Sequence, residues 1–166
     1  MSNIQYAFID RTKIPDRTAL QASIDVLGFD LKLHPEYTPF KDSGFLPFTL
    51  EGEEGPGFDI EYEDAANLVA HDSALRAVAA NNNYCITMAW HGSARDLACA
   101  MIVSYVLAKD FGAVVSFEGG PAEPNESLLA GVHEALEEAR AERRKSQEDR
   151  LRPNVPRIRK PWWKFW

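Results

Sequence analysis

Between Asp96 and Lys109 the chain offers water almost no polar side. Leu97, Met101, Ile102, Val103, Tyr105, Val106 and Leu107 point around the full circumference of a helix, and the run is too short to cross a bilayer. A helix of this kind has to be wrapped by other elements, so residues 96–109 are read as the core helix of a globular domain. Ser93-Ala94-Arg95-Asp96 precedes it with capping-box spacing. At 166 residues the chain is sized for one domain with a self-sufficient core.

The elements around this helix follow from periodicity and punctuation. Gln5 to Ile9 reads as a first strand. Pro15 to Leu27 reads as a helix with Pro15 at its first position, Leu20, Ile24 and Leu27 on one face and Gly28 as its stop. Phe29 to Leu33 is a short strand, broken by the two prolines of residues 34–39. Phe45 to Leu50 and Phe58 to Tyr62 read as a hairpin joined by a flexible acidic loop over residues 51–57. Asp64 to Ala80 reads as a helix, in one piece or two, with Leu68, Leu75 and Val78 inward. Tyr84 to Trp90 is a central strand, and Ala113 to Phe117 another after the stop at Gly112. Asn125 is read as the cap of a long last helix, striped by Leu128, Leu129, Val132, Leu136 and Ala139 and continued by a solvated extension. The order β-α-β-β-β-α-β-α-β-α predicts an α+β two-layer sandwich: a mixed, mostly antiparallel sheet with helices on one face.

Charge divides the chain in two. Residues 150–166 hold six basic residues and no acid, so the net −7 splits into +6 there and −13 for residues 1–149. We therefore read residues 1–149 as a single acidic domain and 150–166 as a basic aromatic tail. An acidic body steers basic partners toward it and repels nucleic acid, which is not expected as a partner. No secretory signal opens the sequence, and Cys85 and Cys99 sit in apolar stretches without CxxC spacing. Both observations point to a cytoplasmic protein with reduced thiols.

Three groups of residues are candidates for function. Asp59, Glu61 and Glu63 alternate with Phe58, Ile60 and Tyr62, which places the acids on one strand face; with Asp64 they form a candidate surface for a basic protein partner. His91, Gly92, Ser93 and Arg95 lie at a strand-to-helix junction, where free N–H groups favour anions. The spacing there matches neither a phosphate loop nor a nucleophile elbow, so no catalytic residue is assigned. The tail carries Arg157, Arg159, Lys160, Trp162, Trp163, Lys164 and Trp166, a composition suited to a membrane surface, to the acidic body or to another subunit. His34, His71, His91 and His133 are scattered without zinc-binding spacing, and no metal or cofactor is expected.

Gly44-Phe45-Leu46-Pro47, Gly57-Phe58-Asp59, Trp90-His91-Gly92, the 96–109 helix and Gly112-Ala113-Val114-Val115 together resemble a class of small, uncharacterised bacterial cytosolic proteins. Some of that class are thought to be immunity proteins of polymorphic toxin systems. The resemblance covers about half of the chain and does not include the aromatic tail. It implies a non-enzymatic protein-binding module, with a toxin as the basic partner. The alternative is a small peripheral protein or enzyme with an anion site at residues 91–95 and a tail that touches a membrane or joins subunits into a homo-oligomer.

Overall fold

The computed structural model describes residues 3–38 and 41–152. Six strands form one sheet: β1 (Asn3–Ile9), β2 (Leu31–Leu33), β3 (Gly44–Leu50), β4 (Glu53–Asp64), β5 (Tyr84–Trp90) and β6 (Val114–Phe117). Their spatial order is β2-β3-β4-β5-β1-β6, and every neighbouring pair is antiparallel. The helices are α1 (Arg17–Val26), α2 (Ala65–His71), α3 (Arg76–Ala79), α4 (Ala94–Phe111) and α5 (Asn125–Leu151). The α+β arrangement of antiparallel sheet, buried helix and long C-terminal helix is the one expected from the sequence.

The main core lies between one sheet face and α1, α4 and α5. Ala7, Ile9, Phe48, Phe58, Ile60, Ile86 and Met88 meet Ala98, Cys99, Ile102, Val103 and Val106 of α4, with Leu20 and Ile24 of α1 and Leu128, Val132 and Leu136 of α5. A helix apolar all round needs cover on every side, and sheet, α1 and α5 supply it. One buried serine interrupts it. Ser104 Oγ donates to Gln5 Oε1 at 2.9 Å, and Gln5 Nε2 reaches Met101 Sδ at 3.2 Å. The two buried polar side chains thus satisfy each other across the helix–sheet interface, as burial requires.

Five sequence expectations shift. The helix placed from Pro15 begins at Arg17 instead; Asp16 is its cap, accepting from Ala19 N at 2.7 Å, and Pro15 stands before it. Asn125 does not cap α5, because Pro124 occupies that position and no side chain closes the end. Asp96 does not complete a capping box: its Oδ1 accepts from Gly57 N at 2.9 Å, while Ser93 Oγ takes the Arg95 N–H at 3.2 Å. Residues 51–57 are not a flexible loop. Glu51 and Gly52, at φ 49° and 79°, make a two-residue turn, and β4 starts at Glu53. Positive φ at both positions is the geometry that matches strand twist in tight hairpins. A register shift between Pro47 and Thr49 then absorbs Gly55 and Pro56 into the strand. Lastly, helices occupy both faces. Ala65, Leu75, Val78 and Ala79, around α2 and α3, pack on Phe8 and Cys85 and cover one end of the other side.

Gly57 is required by close approach. A Cβ there would collide with Leu46 O and lie 2.9 Å from Phe45 Cζ. No helix among the described residues is long and apolar enough to cross a membrane.

Three variants test this packing. Gly57→Ala should lower the unfolding free energy by about 2–3 kcal/mol, because the clash is with backbone and cannot relax cheaply. Ser104→Ala should cost about 1–2 kcal/mol by leaving Gln5 Oε1 without its donor. The double variant Gln5→Leu/Ser104→Ala should cost less than the sum of the two singles, since it removes both ends of the bond. Urea titration of the variants measures all of these.

Candidate functional site

In an antiparallel sheet, residues opposite each other in register share a face. On the side away from α4 this generates cross-sheet rows. The first row runs Phe45–Asp59–Ala89–Ile4, the second Glu61–Thr87–Tyr6 and the third Glu63–Cys85–Phe8. The third row lies beneath α2 and α3, where Phe8 and Cys85 are fully buried. The first row is open. Phe45 is 57% exposed, and Ile4 and Ala89 are half-buried. Glu61 is exposed, with Thr87 and Tyr6 half-buried beside it. Asp59, Glu61 and Glu63 therefore line one face, as their alternation predicts. Asp64 parts from them at the strand end, where it pairs with Arg11 at 3.5 Å.

The strand-to-helix junction joins this face directly. His91 Nε2 lies 2.6 Å from Asp59 Oδ2, with the imidazole largely exposed. Two sequence candidates that stand 32 residues apart thus share one hydrogen bond. Gly92 adopts φ 91° as the chain turns into Ser93. Arg95 Nη1 reaches Glu53 Oε1 at 3.2 Å. With the Asp96–Gly57 bond, these contacts pin the start of α4 to the first half of β4. The helix N-terminus also has a carboxylate of its own: Glu142 Oε1 accepts from Ala94 N at 3.2 Å. In the sequence Glu142 reads only as the i,i+3 partner of Lys145 on a solvated helix extension.

Two hollows border these residues. One, of about 260 Å³, lies among Glu53, Arg95, Glu142, Arg143, Lys145 and Arg150. The other, of about 530 Å³, lies among Lys41, Ser43, Glu61, Tyr62, Glu63 and Tyr84 at the far end of the acidic strand. Tyr62 also shares a 2.6 Å hydrogen bond with Tyr37, whose hydroxyl is pushed well above the ordinary phenol range by burial. Phe45 is the site residue that sequence reasoning placed only as a strand start. Its signal is faint, because an outward phenylalanine looks like an inward one until the register is known. Among the described residues no group of three or more His, Cys, Asp or Glu could hold a metal ion. Arg157, Arg159, Lys160, Trp162, Trp163, Lys164 and Trp166 lie outside the described residues.

Neither cysteine offers a nucleophile to this face. Cys85 belongs to the small cluster and Cys99 to the main core, on opposite sides of the sheet, and both are free and buried. Burial pushes each thiol up to about 12. The thiolate is the reactive form, so neither should react with an aromatic disulfide reagent at pH 8 in the folded protein. Both should react at once in denaturant, and absorbance of the released thiolate reads the difference. Comparisons with protein-family models, with curated proteins and with solved structures gave no match to this chain.

Proposed function

We propose that this chain is a non-enzymatic protein-binding module whose open sheet face takes a basic protein partner in the cytoplasm. The observation that carries the reading is the make-up of that face. Phe45, Ala89 and Ile4 give an apolar strip with Asp59 set within it, and Glu61 and Glu63 continue the line of acids along β4 toward α2. Apolar contact with charge complementarity at its margin is what specific interfaces use: the strip supplies affinity, and the acids set orientation and encounter rate. The net −13 of residues 1–149 adds long-range attraction for a basic protein. The resemblance to immunity proteins supplies the kind of partner, a toxin with a basic surface.

A second reading draws on the smaller hollow. Arg95, Arg143, Lys145 and Arg150 face it and suit an anion near the start of α4. Against it, Glu53 and Glu142 already answer Arg95 and the Ala94 N–H.

The two readings separate by charge reversal. With the partner recovered from the native host and purified, calorimetry should show Glu61→Lys/Glu63→Lys weakening binding by on the order of 100-fold, since like charges then face each other. Glu134→Lys/Glu138→Lys makes the same change in net charge on exposed positions of α5, and should change affinity by less than about threefold. Equal loss in both variants would reduce the effect to bulk charge and refute the face.

A further inference from the structure

The apolar residues of the open row belong to neither core cluster, and its acid Asp59 is met from the side by His91. Phe45, Ile4 and Ala89 stand on this sheet face with the acids Asp59 and Glu61 alongside. We propose that residues 153–166 of the same chain occupy this face, so that the tail holds the place of the basic partner until the partner displaces it. The proposal rests on the binding face argued above, and adds its occupant in the free protein.

Chemistry matches on both counts. The tail segment brings Arg157, Arg159, Lys160 and Lys164 and no acid, interleaved with Trp162, Trp163, Phe165 and Trp166. Its cations meet Asp59 and Glu61, and its rings meet the apolar strip, where large aromatic side chains gain the most from burial.

Reach matches as well. Ala89 belongs to the first row, and α4 begins five residues later at Ala94, whose N–H is held by Glu142 of α5. Arg140 is tied to Glu51 at 2.6 Å, so this part of α5 runs beside the β3–β4 turn. Adding the chain from Ala89 to Ala94, one side chain and ten helical residues places Arg152 at most about 40 Å from the first row. The segment after it can extend about 48 Å to Trp166 and about 41 Å to Lys164, so its aromatic end reaches the row even at that upper limit. A tether of this length holds the tail near its own body at roughly millimolar effective concentration. That exceeds what a second copy reaches at micromolar protein. An anionic membrane must in addition overcome repulsion from the acidic body.

Carbodiimide crosslinking of the full chain at low micromolar concentration, read by peptide mass spectrometry, tests this. Bonds are expected from Lys160 or Lys164 to Asp59, Glu61 or Glu63, within one molecule in a mixture of ¹⁴N and ¹⁵N protein. Trp162→Ser/Trp163→Ser keeps the lysines and should lower their yield at least fivefold. Bonds to other carboxylates, bonds only between differently labelled molecules, or no bonds from a chain that floats with phosphatidylserine vesicles would each overturn it. The same tryptophan variant should bind the purified partner about tenfold more tightly, because the internal competitor is weakened. Tail crosslinks without any partner on this face would leave the docking of the tail standing and refute both the binding reading and the tail's place-holding role. Partner binding at the face, without tail crosslinks, would refute the inference alone.

Discussion

The burial of α4 is the constraint on which the rest of the structure depends. Its side chains leave no face for water, so the sheet, α1 and α5 are arranged to enclose it. Enclosure by apolar groups alone would leave rotation and register of the helix weakly defined. The Ser104–Gln5 hydrogen bond is directional, and it lies where α4 crosses β1. It fixes which helical turn stands over which residue of the strand, a role that nonpolar packing serves less strictly. The start of α4 is fixed independently, by Asp96 on Gly57, Arg95 on Glu53 and Glu142 on Ala94. Because β5 leads into α4 through His91 and Gly92, that anchoring also sets the position of the imidazole over Asp59.

The order of elements was legible because each carries a strong local signal: continuous apolarity in α4, alternation in β4, a spaced stripe in α5. The misreadings come from residues whose local preference is outweighed by tertiary context. Gly55, Pro56 and Gly57 look like a loop, but a register shift accommodates the first two and close approach to Leu46 demands the third. Asn125 and Asp96 look like helix-terminal residues; Pro124 takes the first role, and the second carboxylate is drawn to a neighbouring strand. In β1, Tyr6 and Phe8 alternate with Ala7 and Ile9, so both faces are apolar. That is the mark of a strand covered on two sides, and it foretells the small cluster under α2 and α3.

The site was legible in part. Strand alternation places Asp59, Glu61 and Glu63 on one face, and this needs no knowledge of the fold. Their neighbours depend on pairing. Ile4, Phe45 and the Ala89–His91 pair come from three separate stretches of chain, and only the strand order brings them beside Asp59. Asp64 shows the limit of the linear reading, since one further residue along β4 reverses the side chain and gives it to Arg11.

The position of β1 has a consequence for how the chain is made. Of the six strands it leaves the ribosome first, yet it pairs with β5 and β6, whose residues lie about 75 to 112 positions later. At the usual pace of synthesis that is a delay of roughly 4–20 s. During it, the β2–β3–β4 meander can zip locally while β1, with apolar residues on both faces, has no sheet to join. The sheet closes only when its oldest strand slots between two of its youngest. Between the completion of β4 at Asp64 and of β5 at Trp90 the nascent sheet has its β4 edge exposed, and that edge carries Glu61 and Glu63, the kind of charge that discourages mispairing.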